Sequence, residues 1–132
     1  MMLLRRVLAF GALILIGIGL PLVLVPGTVA ERILGQQPLS DYVWLRLFGT
    51  AGIVLGLFHV LIIRKLEEVW WWCWAFVLFD GASAVIVVLH AVVGMRDGSA
   101  VWPWWVYGTT SGLFTALYLA GIARAGQEKP FV

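Results

Sequence analysis

The chain has 132 residues, enough for one compact unit, and 62% of them are hydrophobic while only 12% are charged. A soluble domain carries roughly 25% charged residues, so most of this chain is predicted to lie in lipid. The formal net charge of +2 and the lack of a basic face argue against nucleic-acid binding. The single cysteine, Cys73, excludes an intrachain disulfide and a metal site built on a cysteine cluster.

Four apolar stretches are long enough to cross a bilayer. They cover about residues 7–25, 43–63, 69–93 and 102–123. Each has ~19 to 25 residues, the length needed to cross ~30 Å of hydrocarbon, and none alternates apolar and polar residues as a barrel strand does. Because backbone groups in lipid must bond internally, each stretch is predicted to be an α-helix. The predicted fold is all-α, a single membrane domain over residues 1–132 that forms an antiparallel bundle of four transmembrane helices.

The first stretch also has some features of a secretory signal peptide. Arg5 and Arg6 precede it, and residues 28–30 resemble a cleavage site. The apolar run exceeds the ~7 to 15 residues of a signal sequence, so a retained transmembrane helix is the favoured interpretation.

The connection after the first stretch, residues 26–42, is the longest of the three. Thr28 can cap a short helix that runs through Leu34, and Gly35 can end it. Apolar residues on one side of this helix predict that it lies on the membrane surface.

The distribution of lysine and arginine predicts the orientation of the protein. The N-terminus, the second connection and the tail share one side of the membrane and hold Arg5, Arg6, Arg64, Lys65, Arg124 and Lys129. The other side holds Arg32, Arg46 and Arg96. Because cytoplasmic segments carry the excess of positive residues, both termini are predicted in the cytoplasm, with the helices in the cell membrane.

Eight tryptophans fall at the two predicted membrane surfaces. Those at the cytoplasmic start of the third helix are Trp70, Trp71, Trp72 and Trp74, and those at the opposite surface are Trp44, Trp102, Trp104 and Trp105. Indole prefers the headgroup level, where its ring is in apolar surroundings and its N–H finds a polar partner. These tryptophans are therefore predicted to be interface anchors, and the alternative is an aromatic ligand cage.

Asp80 is the residue that most clearly indicates a site. It lies near the middle of the third predicted helix, with ~16 to 20 Å of helix on either side. A carboxylate at that depth costs ~2.5 to 3.5 kcal/mol on insertion scales, so Asp80 should face the interior, be paired, or be protonated. One interpretation is a ligand or proton site, and the other is a carboxyl group that locks helices together by hydrogen bonds.

Other polar residues are predicted to lie near Asp80 inside the bundle. Helical geometry places Ser83 on the same face of the third helix, and Thr115 at a similar depth on the fourth, beside Ser111. Thr50 on the second helix is roughly level with Ser83. These five residues form the candidate ligand-binding set, and the alternative is interhelical hydrogen bonding at ~0.6 kcal/mol per bond.

The two histidines lie too far apart to share one haem. His59 is near the cytoplasmic end of the second helix and His90 near the opposite end of the third, so their depths differ by ~20 Å. Each could still ligate a separate haem or pigment at a subunit interface. The favoured interpretation is an interfacial histidine bonded to a neighbour or to water, and no cofactor or metal site is predicted.

Two groups of glycines predict close helix packing. Gly49, Gly52 and Gly56 form a narrow stripe on the second helix, and Gly108 and Gly112 form another on the fourth. Absent side chains let backbones approach closely, which is how helices associate in lipid. The partner surface is either another helix of this chain, a second copy, or another protein.

Residues 26–56 resemble the DoxX-like class of small bacterial four-helix membrane proteins. The features that carry the resemblance are Pro26, the segment Trp44-Leu45-Arg46-Leu47-Phe48-Gly49, and Gly56. The resemblance implies a four-helix architecture and a bacterial membrane. It implies no particular chemistry, and it does not extend to the other tryptophans or to Asp80.

Recognisable catalytic motifs are missing from the sequence, which has no P-loop, GxSxG, HExxH, CxxC or paired-acid pattern. Three functions remain. Small size and glycine faces favour a non-catalytic accessory or assembly subunit of a membrane complex. The second is a binder or transporter of a small lipid-soluble ligand, of lipid or quinone type, that uses Asp80, and the third is an enzyme acting on a lipid-soluble substrate.

Overall fold

Four long helices make up most of the computed structural model, which describes residues 1–94 and 98–128. Their bounds are α1 Met2–Leu24, α2 Val43–Arg64, α3 Leu66–Val93 and α4 Trp102–Glu128. All four are long and apolar enough to cross a membrane, and no strand occurs in the described part of the chain. The prediction of an all-α protein with four helices long and apolar enough to cross a membrane is confirmed.

The helices extend beyond the apolar stretches at their polar ends. α1 begins at Met2 rather than Val7, and α4 continues to Glu128 rather than Ala123. Hydropathy marks only the part of a helix that lies in hydrocarbon, whereas arginine, glutamine and glutamate continue a helix readily beyond it. α3 is composite, with an α-helical turn Leu66–Val69, a 3-10 turn Trp70–Cys73 and a long α-helix Trp74–Val93.

The first connection contains a short π-helical segment, Thr28–Ile33. Gly35 follows this segment by two residues, and its φ of 61° is the left-handed conformation common just after a helix. The predicted Thr28 cap is wrong. Gly27, the residue before the segment, already has helical dihedral angles, and no side chain caps the segment.

The helices pack as two pairs, α1 with α2 and α3 with α4. A Cβ added to Gly19 would lie 2.6 Å from the carbonyl oxygen of Gly49, and one added to Gly56 would lie 2.6 Å from the Ile16 side chain. Gly52 also faces α1, where a Cβ would lie 3.3 Å from a backbone oxygen. The predicted stripe on α2 therefore lies against α1, and at Gly49 and Gly56 the separation leaves no room for a Cβ.

The two predicted packing glycines of α4 have different surroundings. A Cβ on Gly108 would lie 2.9 Å from the Val88 side chain of α3, so Gly108 lies between the two helices. Gly112 is exposed, and a Cβ there would meet nothing within 4 Å in the described chain. Gly112 therefore contributes no helix packing within this chain.

A buried core joins the two pairs at one end of the bundle, the end that holds the start of α1 and the end of α4. Its members are Leu4, Val7, Leu8, Ile62, Leu66, Trp70, Cys73, Phe76, Val77, Tyr118, Ile122 and Ala125. Trp70, which was predicted to be an interface anchor, is only 5% exposed and packs in this core. Side chains three residues apart eclipse in a 3-10 turn, and this geometry directs both Trp70 and Cys73 into the core.

The opposite end of the bundle is joined by hydrogen bonds between the first and third connections. The Ala100 backbone N–H donates to the Gly35 carbonyl oxygen at 3.0 Å, and Gln36 Nε2 donates to the Ala100 carbonyl oxygen at 2.9 Å. Arg96 and Lys129, which entered the charge count, lie outside the described residues.

Between these two ends, α2 and α3 make little direct contact within the described residues. Their contact is aromatic and lies near the core, where Phe58 meets the edges of Phe76 and Trp72 with ring centroids 6.2 Å apart. The bundle is therefore tightly packed within each pair and loosely closed along the α2–α3 side.

Candidate functional site

Asp80 lies one helical turn beyond the buried core residues Phe76 and Val77, on the inward-facing line of α3. Its side chain is partly buried, and it makes no hydrogen bond or ion pair within residues 1–94 and 98–128. A carboxylate in the middle of a span costs ~2.5 to 3.5 kcal/mol. A proton, or a polar group from outside the described chain, is therefore needed to stabilise Asp80.

Thr115 lies at the level of Asp80 on the neighbouring helix α4. A Cβ added to Gly81, the residue after Asp80, would lie 3.8 Å from Thr115 Oγ1. The Thr115 hydroxyl donates to the Ser111 carbonyl oxygen at 2.9 Å, inside its own helix. Because the hydroxyl proton is used in this bond, Thr115 can act toward other groups mainly as a hydrogen-bond acceptor.

Tyr107 brings a further hydroxyl to the same region. Its hydroxyl lies near the hydroxyls of Ser83 and Ser111 and near the Asp80 carboxyl. Its ring also faces Phe48 of α2 with centroids 6.5 Å apart. We refer to Asp80, Ser83, Tyr107, Ser111 and Thr115 as the Asp80 cluster.

Tyr107 was missed by sequence reasoning because a tyrosine near a helix end is usually assigned to the membrane surface. The available signal was its spacing, four residues before Ser111 and eight before Thr115, which places all three on one face of α4. The cluster thus consists of four predicted residues and one additional hydroxyl.

Thr50, the fifth residue of the predicted ligand-binding set, does not belong to this cluster. It is exposed, and its hydroxyl donates to the Arg46 carbonyl oxygen at 2.8 Å. Gly49 faces α1, and the next residue in a helix is rotated by ~100° about the axis. This rotation turns Thr50 away from the interior.

His59 and Tyr118 form a buried hydrogen-bonded pair where the two helix pairs meet. His59 is 2% exposed and Tyr118 is fully buried, and His59 Nε2 lies 2.7 Å from the Tyr118 hydroxyl. The imidazole stacks on Phe76 with ring centroids 3.8 Å apart. His59 was predicted to lie at the membrane surface, and the structure places it in the core instead.

The hydrogen bonds of His59 determine which group of the His59–Tyr118 pair donates and which accepts. Nδ1 lies 2.7 Å from the Leu55 carbonyl oxygen, which can only accept, so Nδ1 carries the proton of a neutral imidazole. Nε2 is then an acceptor, and the Tyr118 hydroxyl donates to it. Both ring nitrogens are occupied, so a haem iron at His59 would have to displace one of these bonds.

Tyr118 lies close to the Asp80 cluster as well as to His59. Its hydroxyl lies near the Asp80 carboxyl, and its position three residues after Thr115 continues the same face of α4. The spacing was again the available signal in the sequence. The polar groups of the bundle interior thus extend from the Asp80 cluster toward the buried His59.

The remaining predicted aromatic and histidine residues lie at the bundle surface. The exposed tryptophans are Trp44, Trp71, Trp72, Trp74, Trp102 and Trp105. Trp104 is partly buried and meets the exposed His90 edge-on, with centroids 4.6 Å apart. Its indole nitrogen is buried without a hydrogen-bond partner in the described residues.

Asp80 lines neither of two surface grooves that the described residues form. One, at the core end, is lined by Arg5, Arg64, Lys65, Leu66, Glu67 and Glu68. The other runs between α1 and α4. Within the described residues, no group of three or more histidine, cysteine or acidic side chains is placed to hold a metal ion.

No protein-family model, curated protein or solved structure matches this chain. The resemblance to DoxX-like proteins therefore stays a prediction, and function must be argued from the site itself.

Proposed function

We propose that this protein binds a small lipid-soluble molecule with a polar headgroup at the Asp80 cluster, without chemical conversion of that molecule. The supporting observation is that Asp80, in the middle of α3, has no hydrogen-bond partner or counter-charge in the described chain. An ionised carboxyl accepts hydrogen bonds and a protonated one donates, while the neighbouring hydroxyls do both. Headgroups of lipid or quinone type, and weakly basic amines, match this set of groups.

The ligand would reach Asp80 from the bilayer through the loosely closed α2–α3 side. Phe76 and Val77 are buried, but Asp80 and the next inward-facing residues, Ala84 and Val87, are only partly buried. The interior therefore opens beyond Val77. A lipid-soluble molecule could place its headgroup beside Asp80 and leave its apolar tail among the surrounding lipids, an arrangement that requires no enclosed cavity.

We further propose that the chain is an antiparallel bundle in a bacterial inner membrane. Support for the alternating helix directions comes from contacts that run in opposite chain order, because Gly11 lies against His59 while Gly19 lies against Gly49. The Thr28–Ile33 segment, next to exposed Ile33, would lie on the membrane surface.

Both termini would face the cytoplasm. The groove at the core end gathers Arg5, Arg64 and Lys65, which come from two separate parts of the sequence. A concentration of positive residues at one end of a membrane protein favours the cytoplasmic side for that end.

The test compares Asp80→Asn with Asp41→Asn. The Asp41 carboxylate is exposed before α2 and accepts the Val43 backbone N–H, so it controls for the loss of one acid outside the span. Each protein is purified in a mild detergent, and the co-purifying small molecules are quantified by mass spectrometry. Hydrogen bonds to charged groups contribute ~1.5 to 3 kcal/mol, so Asp80→Asn should retain at least about tenfold less ligand.

Stability measurements separate a binding role from a structural one. If Asp80→Asn lowers the unfolding midpoint but retains the same molecules as wild type, Asp80 only supports the fold and the proposal is wrong. The same conclusion follows if neither wild type nor Asp41→Asn retains any small molecule in excess of bulk lipid.

A second candidate function is that of a non-catalytic subunit of a membrane complex. The observation that favours it is a line of small residues on the exposed side of α4, formed by Gly112, Ala116 and Ala120. Such lines permit close approach of another helix. A partner protein should then co-purify at fixed stoichiometry and be lost in Gly112→Leu, whereas ligand retention at Asp80 should be unchanged.

A further inference from the structure

We propose that the groove between α1 and α4 is a binding site for one anionic phospholipid, with an acyl chain in the groove and the phosphate at Arg6. This site is separate from the Asp80 cluster. The groove is lined by Leu3, Arg6, Val7, Phe10 and Ile14 of α1 and by Leu113, Phe114 and Leu117 of α4. Every lining side chain except Arg6 is apolar, which suits a hydrocarbon chain and no polar ligand.

The length of the groove matches one leaflet of the bilayer. From Leu3 to Ile14 the helix rises by ~16 Å, about half of the ~30 Å hydrocarbon thickness. Arg6 lies at the end of α1 that belongs to the membrane surface, and Ile14 lies near the bilayer centre. A lipid of the leaflet on the core side would therefore have its phosphate beside Arg6.

The charges at the mouth of the groove favour an anionic headgroup. Arg6 is exposed and makes no ion pair within the described residues. Arg124 follows Leu117 by seven residues, so it lies on the same face of α4, closer to the membrane surface. The acid at this end of α4, Glu128, binds the Met1 amino group at 2.7 Å rather than Arg6.

A second copy of the chain is a less suitable occupant of this groove. The face that lines the groove carries bulky residues, with Phe10 62% and Leu113 57% exposed. Helices that associate in lipid usually meet through small residues, and those of α4 lie outside the groove lining.

The experiment measures lipid binding to the full chain by native mass spectrometry after delipidation in mild detergent. Dioleoyl phosphatidylglycerol and dioleoyl phosphatidylcholine are titrated separately, since they share acyl chains and differ in net charge. A basic residue near the membrane surface contributes ~1 kcal/mol toward anionic lipid. Wild type should therefore bind the first phosphatidylglycerol about fivefold more tightly than phosphatidylcholine.

Two variants and one control distinguish headgroup binding at Arg6 from acyl-chain binding in the groove. Arg6→Gln should lose the fivefold preference, whereas Arg32→Gln, which removes an exposed arginine at the opposite end, should keep it. Leu113→Trp places an indole in the groove from an exposed position and should cause loss of the tightly bound lipid of either kind. Circular dichroism verifies that each variant keeps wild-type helix content.

Several outcomes would overturn the proposal. These are equal affinities of wild type for the two lipids, an equal effect of Arg6→Gln and Arg32→Gln, or unchanged binding in Leu113→Trp. Displacement of the bound lipid by inorganic phosphate alone would show an anion site without a lipid groove. None of these results bears on ligand retention at Asp80, so the two proposals fail separately.

Discussion

The hydrogen bond from Tyr118 to His59 connects the α3–α4 pair to the α1–α2 pair, and its removal by Tyr118→Phe should destabilise the protein. The two atoms lie 2.7 Å apart in a buried site. Phenylalanine fills nearly the same volume as tyrosine, so the substitution removes one hydroxyl and leaves His59 Nε2 as a buried acceptor without a donor.

The magnitude follows from this geometry. Interhelical hydrogen bonds in membranes contribute ~0.6 kcal/mol on average and ~1.7 at most, whereas a buried group left without a partner costs ~1 to 3 kcal/mol. A Cβ on Gly11 would lie 2.8 Å from the Tyr118 hydroxyl. The α1 backbone at Gly11 therefore covers the His59–Tyr118 pair and leaves little room for a water that could replace the lost hydroxyl. We expect a loss of ~1 to 2 kcal/mol in the free energy of unfolding.

The assay is unfolding by sodium dodecyl sulfate in mixed micelles, followed by circular dichroism. The matched control is Tyr42→Phe, because the Tyr42 hydroxyl donates to Glu31 outside the spans, at an exposed position. The control should leave the free energy of unfolding nearly unchanged. His59→Phe and the double variant complete a cycle whose coupling energy should be ~0.6 to 1.7 kcal/mol.

Two results would refute this reasoning. One is a Tyr118→Phe protein that unfolds at the same detergent fraction as Tyr42→Phe. The other is a coupling energy near zero in the cycle, which would mean that each side chain acts only through its packing against Phe76.

Three other predictions concern packing, titration and access. Gly19→Ala should cost ~1 to 3 kcal/mol through its clash with the α2 backbone, while Gly112→Ala, with open space around it, should be neutral or stabilising in the same detergent titration. The hydrogen bond to Glu31 raises the pKa of Tyr42, so this contact stabilises the folded chain below the ordinary tyrosine pKa of ~10 and is lost as pH rises through the higher folded value. Phenolate absorbance, with Tyr42→Phe as reference, should show the pKa of Tyr42 falling toward ~10 in Glu31→Gln. An unchanged pKa in Glu31→Gln would contradict this prediction. Cys73, at 0% exposure, should resist maleimide labelling in intact membranes until the protein unfolds, and rapid labelling of the folded protein would show that the core end is not closed.

Particular residues show where sequence reasoning was sufficient and where it failed. Thr115 could be placed beside Asp80, because depth in a helix follows from residue number at 1.5 Å per residue. His59 was placed correctly along α2 but in the wrong surroundings, because its partners Tyr118 and Phe76 come from other helices. Depth is a local property of the sequence, whereas surroundings depend on how helices rotate about their axes.

Composition and run length by themselves determined the number of helices long and apolar enough to cross a membrane and the position of each polar residue along its helix. The physical reason is that hydrocarbon demands long apolar segments with internally bonded backbones, a condition each segment meets alone. Only the tertiary structure decided which face of each helix is inside. Lipid and protein interior are similarly apolar, so no hydrophobic pattern distinguishes inward Trp70 from outward Thr50, and close contact at Gly19 and Gly49 settles the rotation instead.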